Sequence, residues 1–377
     1  MRFRDSPATG DRHDKNESGR GLSVVLAFVI FSTLWFAAPH ASEDDAGDEF
    51  ILFVSDRAFP SEAGICAGCE DIYVMPPAGE LPRVPNAIRL TAGGGVDSAS
   101  YNSAGPDWSR AKKLIAFQSN RPTDLVNRPL ERIPQIYLMN PDGTGQQLLV
   151  NLPRGAAFPA FSHNGNELCF HSQTMPRRDI YVVNVHGTGL TNLTSPSQSP
   201  GQTGVVGDNL RCDWSPKANA IAFASNRHDP VDTLPADRND EIYVMNADGT
   251  DVVRLTDAAG SDANPAWSPK GDKIAFESNR TGMPEIWVMN ADGSEQVRLT
   301  NFELDITPSN VNVTKATWSP KGDRIAFHRR VTPVAGMRGH VEVYTMNADG
   351  TSVPARITFS EDPGFSGFPS WGKWGTD

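Results

Sequence analysis

The sequence predicts an all-β fold, a six-bladed β-propeller of four-stranded antiparallel blades, and three observations lead there. A strand-like segment around a central Phe recurs at Phe53, Phe117, Phe170, Phe223, Phe276 and Phe327, in steps of 64, 53, 53, 53 and 51 residues. Each full step holds four short segments divided by turn chemistry, as in NPAWSPKG, DKIAFESNR, PEIWVMNADG and SEQVRLT over residues 264–300. The first and last copies are incomplete in complementary ways. The N-terminal copy begins at its second strand, and the C-terminus ends on an orphan first strand, Phe368-Pro369-Ser370-Trp371. The C-terminal strand is therefore expected to join the N-terminal blade and close the ring, leaving only short, protected edges.

Each element follows from its residues. The first strand carries an aromatic before its turn, at Trp108, Phe161, Trp214, Trp267, Trp318 and Trp371. Ser268-Pro269-Lys270-Gly271 and Ser319-Pro320-Lys321-Gly322 then supply the residues of a type I turn. The second strand, of the Ile-Ala-Phe kind, suits a pleated, buried surface. The third reads Ile-Tyr-Val-Met or a close variant, and five of six copies run into Asn and a Gly-bearing turn such as Asn246-Ala247-Asp248-Gly249. The fourth, Arg-Leu-Thr or similar, is short and polar enough for an outer edge. No stretch after Phe50 keeps a helical period.

The Trp-Ser-Pro-Lys-Gly, Ile-Ala-Phe-x-Ser-Asn-Arg, Ile-Tyr-Val-Met-Asn-Ala-Asp-Gly and Arg-Leu-Thr blocks resemble the propeller repeat of TolB, the periplasmic component of the Tol–Pal system. They are similar also to the propellers of prolyl oligopeptidase-type peptidases. The resemblance runs from about Phe50 to Trp371 and implies the fold. Neither the α/β domain that precedes the TolB propeller nor the peptidase hydrolase domain is expected, so a family function does not transfer with the fold.

Residues 22–38 (LSVVLAFVIFSTLWFAA) form a continuous apolar run after Arg2, Arg4, Arg12, Lys15 and Arg20, with Glu43-Asp44-Asp45 behind it. The run is short for a membrane span and ample for a signal-peptide core. Residues 1–41 thus read as a signal peptide or an uncleaved signal anchor, 42–49 as an acidic linker and 50–377 as the propeller. Either reading of the leader places the propeller outside the cytoplasm, periplasmic or secreted, with the membrane touched only through residues 22–38 if they stay attached. The net charge of −11 argues against a nucleic-acid or anionic-lipid partner. Of four cysteines, Cys66 and Cys69 read as a local disulfide, while Cys169 and Cys212 read as buried free thiols.

In a four-stranded meander the one–two and three–four turns share one face, and the two–three loops and inter-blade crossings share the other. The second face carries the insertions, at 58–70, 122–134, 228–240 and 331–340, with the crossings 92–105, 195–211 and 301–315. Polar groups near the starts of inner strands are candidates for the channel mouth: Asp97, Asp208, Asn209, Asp262, Asn264 and Asp305. His171 and His328 share the repeat position after the strand Phe, one layer out from the channel, where inter-blade hydrogen bonding is the expected role. The Asn-Ala-Asp-Gly segments lack the downstream ligands of a calcium loop and read as turns. No nucleophile elbow or phosphate loop is present.

The resulting expectation is a non-catalytic exported propeller. It would bind a protein, peptide or cell-envelope component through the loop-rich face and channel mouth, with no cofactor and no catalytic or metal-ligating residue assigned. The alternative is an extracytoplasmic carbohydrate- or lactone-active enzyme holding a metal in the channel. A third reading is a structural role in which that face makes homo-oligomer contacts.

Overall fold

Ile, Phe and Tyr alternate with small residues along these strands, so each sheet has two apolar faces and must be covered on both. A ring of radially stacked sheets meets that demand. The computed structural model describes residues 49–56, 69–77, 87–91, 101–121, 133–173, 177–195, 207–229, 239–302, 313–331, 340–359 and 365–374. They form 24 strands in six four-stranded antiparallel sheets. Among the described residues there is no helix, and hence none long and apolar enough to cross a membrane.

Blade 2 is β4 (Ser103–Ser109), β5 (Leu114–Ser119), β6 (Gln135–Met139) and β7 (Gln147–Val150). Blade 3 is β8 (Ala156–Phe161), β9 (Glu167–Ser172), β10 (Ile180–Asn184) and β11 (Thr191–Asn192). Blade 4 is β12 (Asn209–Trp214), β13 (Ala220–Ser225), β14 (Glu241–Asn246) and β15 (Val253–Arg254). Blade 5 is β16 (Asp262–Trp267), β17 (Lys273–Ser278), β18 (Glu285–Asn290) and β19 (Val297–Arg298). Blade 6 is β20 (Val313–Trp318), β21 (Arg324–Val331), β22 (His340–Asn347) and β23 (Ala355–Arg356).

Blade 1 closes the ring as expected. Its strand order is β24-β1-β2-β3, with β1 (Glu49–Ser55), β2 (Asp71–Met75) and β3 (Ile88–Arg89) joined by the C-terminal β24 (Ser366–Lys373). The seam pairs Glu49 with Lys373, Ile51 with Trp371 and Ser55 with Ser366. Trp371 Nε1 donates to Glu49 across it at 3.1 Å, and Trp374 stacks on Phe50 at 4.0 Å.

The core is six cores, one at each blade junction. Strand alternation explains the division. In the Ile-Ala-Phe strand, Ile115 and Phe117 face blade 1 while Ala116 faces blade 3. Likewise Ile325 and Phe327 pack on blade 5 against its Ala275. A large face meeting a small one lets flat sheets nest, and each fully buried Ile or Phe contributes roughly 1.5–3 kcal/mol.

The outer edge is held by a repeated carboxylate clamp. Thr300 Oγ1 accepts the Ile286 N–H at 2.9 Å and donates to Glu285, which also accepts the Phe302 N–H at 2.7 Å. Asp71 with Thr91, Asp179 with Thr194, Glu241 with Thr256 and Glu342 with Thr358 repeat it. In blades 1, 4 and 6 the Arg of the fourth strand adds an ion pair, Arg89–Asp71, Arg254–Glu241 and Arg356–Glu342. The Asn-Ala-Asp-Gly segments are turns, with Asp248 accepting the Thr250 N–H and Asp292 the Ser294 N–H.

The sequence expectation for two cysteines is corrected here. Cys169 on β9 and Cys212 on β12 form a disulfide with Cα atoms 6.2 Å apart, joining blades 3 and 4. Cys169 takes the small position that faces the next blade, and Cys212 lies on that blade's inner strand, so ring packing brings them together. Cys69 is also disulfide-bonded, and Cys66 lies outside the described residues.

Candidate functional site

Each inner strand breaks its pairing at the same place. The register shifts between Ala104 and Asp107, Ala157 and Ala160, Leu210 and Asp213, Ala263 and Ala266, Thr314 and Thr317, and opposite Leu52/Val54 on β24. The residue opening each bulge has positive φ: Gly105 (57°), Phe158 (52°), Arg211 (54°), Asn264 (52°), Lys315 (48°) and Phe368 (50°). Pro follows in four of the six, where the bulge leaves no ladder bond for its missing N–H. The bulge brings one residue per blade toward the axis, a side chain in five blades and Gly105 in the sixth.

The six residues divide the ring in two. Blades 4, 5 and 6 present Arg211, Asn264 and Lys315, while blades 1, 2 and 3 present Phe368, Gly105 and Phe158. Phe158 and Phe368 approach to 5.4 Å between centroids, and a Cβ on Gly105 would meet Phe158 Cδ1 at 2.9 Å. The guanidinium of Arg211 lies 3.1 Å over the Phe158 ring, and Lys315 Nζ crosses the axis to Pro106 O at 3.4 Å. These arms narrow the channel at its waist.

From that waist to the one–two turns runs a cavity of about 260 Å³. Its wall includes Arg211, Asn264 and Lys315, the aromatics Trp108, Trp214, Trp267 and Trp318, and rim residues such as Arg110, His163 and Pro216. Two half-buried acids, Asp107 and Asp213, belong to the same wall. Asp107 accepts the Phe161 N–H at 2.8 Å and Asp213 the Trp267 N–H at 2.7 Å, each bonding to the following blade. Burial raises the Asp107 carboxyl, and burial pushes Asp213 up to about 7 against the pull of that N–H. Glu277 on β17 is raised by burial to about 7 while accepting Asn264 Nδ2 at 2.6 Å.

The cations are perturbed in the opposite sense. Arg211 falls to about 9 through burial, against the pull of Glu277, and Lys315 falls through burial, opposed by Asp107 and Asp213 and reinforced by Arg211. Arg211 Nη1 and Asn264 Oδ1 are buried without a hydrogen-bond partner. Both atoms belong to side chains that line the cavity, a donor on one blade and an acceptor on the next.

The channel-mouth candidates from the sequence fall in different places. Asp208 pairs with Arg178 at 2.7 Å. Asn209 accepts from Ser225 at 2.9 Å and Arg227 at 2.6 Å. Asp262 pairs with Arg280 at 2.5 Å. All three are buried at the opposite end of the inner strands from the cavity. Asn264 lines the cavity itself. Asp97 and Asp305 lie outside the described residues, as do most of the loop-rich face (58–68, 122–132, 230–238, 332–339) and its long crossings.

His171 and His328 do bond between blades. His171 Nδ1 accepts the Arg211 N–H at 3.3 Å and His328 Nδ1 the Phe368 N–H at 3.1 Å, the role Gln118 plays toward Phe158 at 3.0 Å. Burial drives both imidazoles down, His328 to about 3, so both are neutral. Among the described residues no group of three His, Cys, Asp or Glu is placed to hold a metal ion.

Residues 207–367 match the family model of the TolB beta propeller domain. The repeat is TolB-like. TolB from Acinetobacter baumannii superposes with a TM-score of 0.60 at 18% identity, over 87% of this chain and 67% of that one. A chain assigned as TolB from Agrobacterium tumefaciens gives 0.55 at 17% identity, over 87% and 99%. A chain of the nidogen/laminin complex gives 0.56 at 12% identity, over 86% and 98%. No curated protein matches the sequence. At these identities the likeness is one of fold, and the TolB-like ring leaves the chemistry of its axis to this chain's own residues.

Proposed function

We propose that this TolB-like propeller is an exported, non-catalytic binding protein that receives a peptide or protein segment at the axis of the ring. The carrying observation is the preformed cavity, walled by all six inner strands, whose Asp107 and Asp213 accept backbone N–H groups of the next blade, with His171 and His328 bonding the same way one strand further out. Carboxylates held this way keep a fixed place in the wall. Rigid walls also lower the ordering cost of association.

Export is part of the proposal. The apolar leader at 22–38 supports it, as does the Cys169–Cys212 disulfide, which suits an oxidising compartment. The cavity adds a second candidate surface to the loop-rich face expected from sequence, at the turn end of the channel.

The test is cross-linking and capture from cell-envelope extract, with the intact chain compared against a rim variant, His163→Trp with Pro216→Trp. A partner lost from the rim variant, with unchanged thermal unfolding, is the expected result. Retention by the variant moves binding to another surface, and no partner on either protein ends the binding reading.

A further inference from the structure

Three consecutive blades place Arg211, Asn264 and Lys315 at one repeat position, all facing one cavity. Arg211 makes no ion pair among the described residues, and its Nη1 donor is unused. Lys315 donates to a carbonyl oxygen at 3.4 Å and feels Asp107 and Asp213, as Arg211 feels Glu277, without a direct ion pair to any of them among the described residues. Two like charges held this close leave a place that an anion fills favourably. Between them, Asn264 offers a lone acceptor, because its Nδ2 is already given to Glu277. A carboxylate next to an amide N–H satisfies all three, and the end of a peptide carries both. The opposite half of the ring, Phe158, Gly105 and Phe368, is apolar and suits the last side chain.

We propose that the axial cavity is a carboxylate site for a peptide terminus, in which Arg211 and Lys315 hold the carboxylate and Asn264 Oδ1 accepts the adjacent N–H. The inference rests on the binding reading above and gives it a chemistry.

The surrounding charges set its pH behaviour. Facing the clamp are Asp107 on β4, His171 on β9, Asp213 on β12, Glu277 on β17 and His328 on β21, with Arg178 before β10 and Arg110 at the rim. The histidines are neutral throughout. Asp213 and Glu277, both near 7, ionise as pH rises and then compete with the ligand for the cations. Carboxylate binding therefore takes up protons and weakens as pH rises through about 7.

The experiment titrates the full chain with three probes: N-acetyl-Ala-Ala-Leu as the free acid, its C-terminal amide, and N-acetyl-Ala-Ala-Glu-amide. Calorimetry and the fluorescence of the cavity tryptophans read binding at pH 6 and pH 8. The free acid is expected to bind at least about tenfold more tightly than its amide, and more tightly at pH 6. Arg211→Asn and Lys315→Asn each remove about tenfold, and Glu277→Gln flattens the pH dependence. Asn is chosen because Asn264 shows that it accepts this backbone, so unchanged melting separates lost binding from lost folding. Equal binding by the Glu-amide overturns the assignment to a peptide terminus. Equal binding by acid and amide overturns the carboxylate inference and leaves peptide binding standing. If no probe binds but the envelope partner is still captured, this inference fails alone; if neither binds, both fail.

Discussion

Five of the six residues that open the inner bulges are not glycine, yet all have φ near +50°. Each costs roughly 1–2 kcal/mol against an ordinary strand conformation, so the ring must fix them by other contacts. One such contact is the inter-blade acceptor at Gln118, His171 and His328. His328→Gln should therefore be near neutral, because Gln118 makes the same bond in its own blade. His328→Leu should cost about 1–3 kcal/mol by leaving the Phe368 N–H unpaired. Thermal or urea unfolding of the pair checks this, and equal losses would mean that the ring, not the bond, is what matters. The raised acids give a second residue-scale prediction. Asp213 and Glu277 hold protons in the folded state that the unfolded chain releases near its ordinary carboxylate range. At these two sites the folded molecule binds more protons between about pH 4 and 7, a contribution to stability that falls as pH rises through that window; His171 and His328, driven down by burial, contribute the opposite slope below about 6.5. The penalty is complete above about 7 and is on the order of a few kcal/mol at most. Asp142, Asp248, Asp292 and Asp349 are lowered instead, by Thr or Ser hydrogen bonds, and act at more acid pH. The double variant Asp213→Asn, Glu277→Gln keeps the hydrogen-bond acceptors and should gain stability relative to the native chain as pH rises from 5 to 8, which the difference between their melting temperatures will show.

At the scale of the strand, what the sequence discloses is what repeats in residue type. The second and third strands are visible because Ile, Phe, Tyr and Met return at period two, and the turns because Ser-Pro-Lys-Gly and Asn-Ala-Asp-Gly return intact. The bulge is hidden because Gly105, Phe158, Arg211, Asn264, Lys315 and Phe368 share a backbone, not a chemistry; the Pro after four of them was the available signal. The Cys169–Cys212 bond was hidden similarly, since its halves lie 43 residues apart in different repeats. Written in blade register, one is the small residue facing forward and the other the wall it faces. The acid-to-Thr clamp was legible as residues but not as an interaction, because its members sit at opposite ends of the third and fourth strands. It carries a prediction of its own. Thr300→Val is close to isosteric but removes the acceptor for the Ile286 N–H and a donor to Glu285. A loss of about 1–3 kcal/mol is expected, with hydrogen exchange quickened first at β19, the outer edge of blade 5. Protection lost evenly over the ring instead would mean that the blades do not loosen independently.

For the molecule as a whole, closure decides stability, because every blade relies on two neighbours and the seam is the only junction made from both chain ends. β24 pairs with β1, its Trp371 packs against blade 6, and Trp374 covers Phe50 at the border with blade 2. Ending the chain before Phe365 would uncover Phe50, Ile51 and the inner edge of blade 1 at once. Such a protein should lose its single cooperative melting transition. A permutant separates loss of the strand from loss of its connectivity. Placing residues 365–374 ahead of Glu49, joined by a Ser-Pro-Lys-Gly turn, gives blade 1 the strand order of the other five. If the ring is stabilised by the contacts of β24 and not by where it enters the sequence, the permutant melts cooperatively near the temperature of the native chain. Its unfolding should be faster, because the seam no longer ties the two ends of the chain together. A permutant that melts like the truncated protein would show that the order of synthesis, and not the closed circle of six apolar junctions, selects this fold.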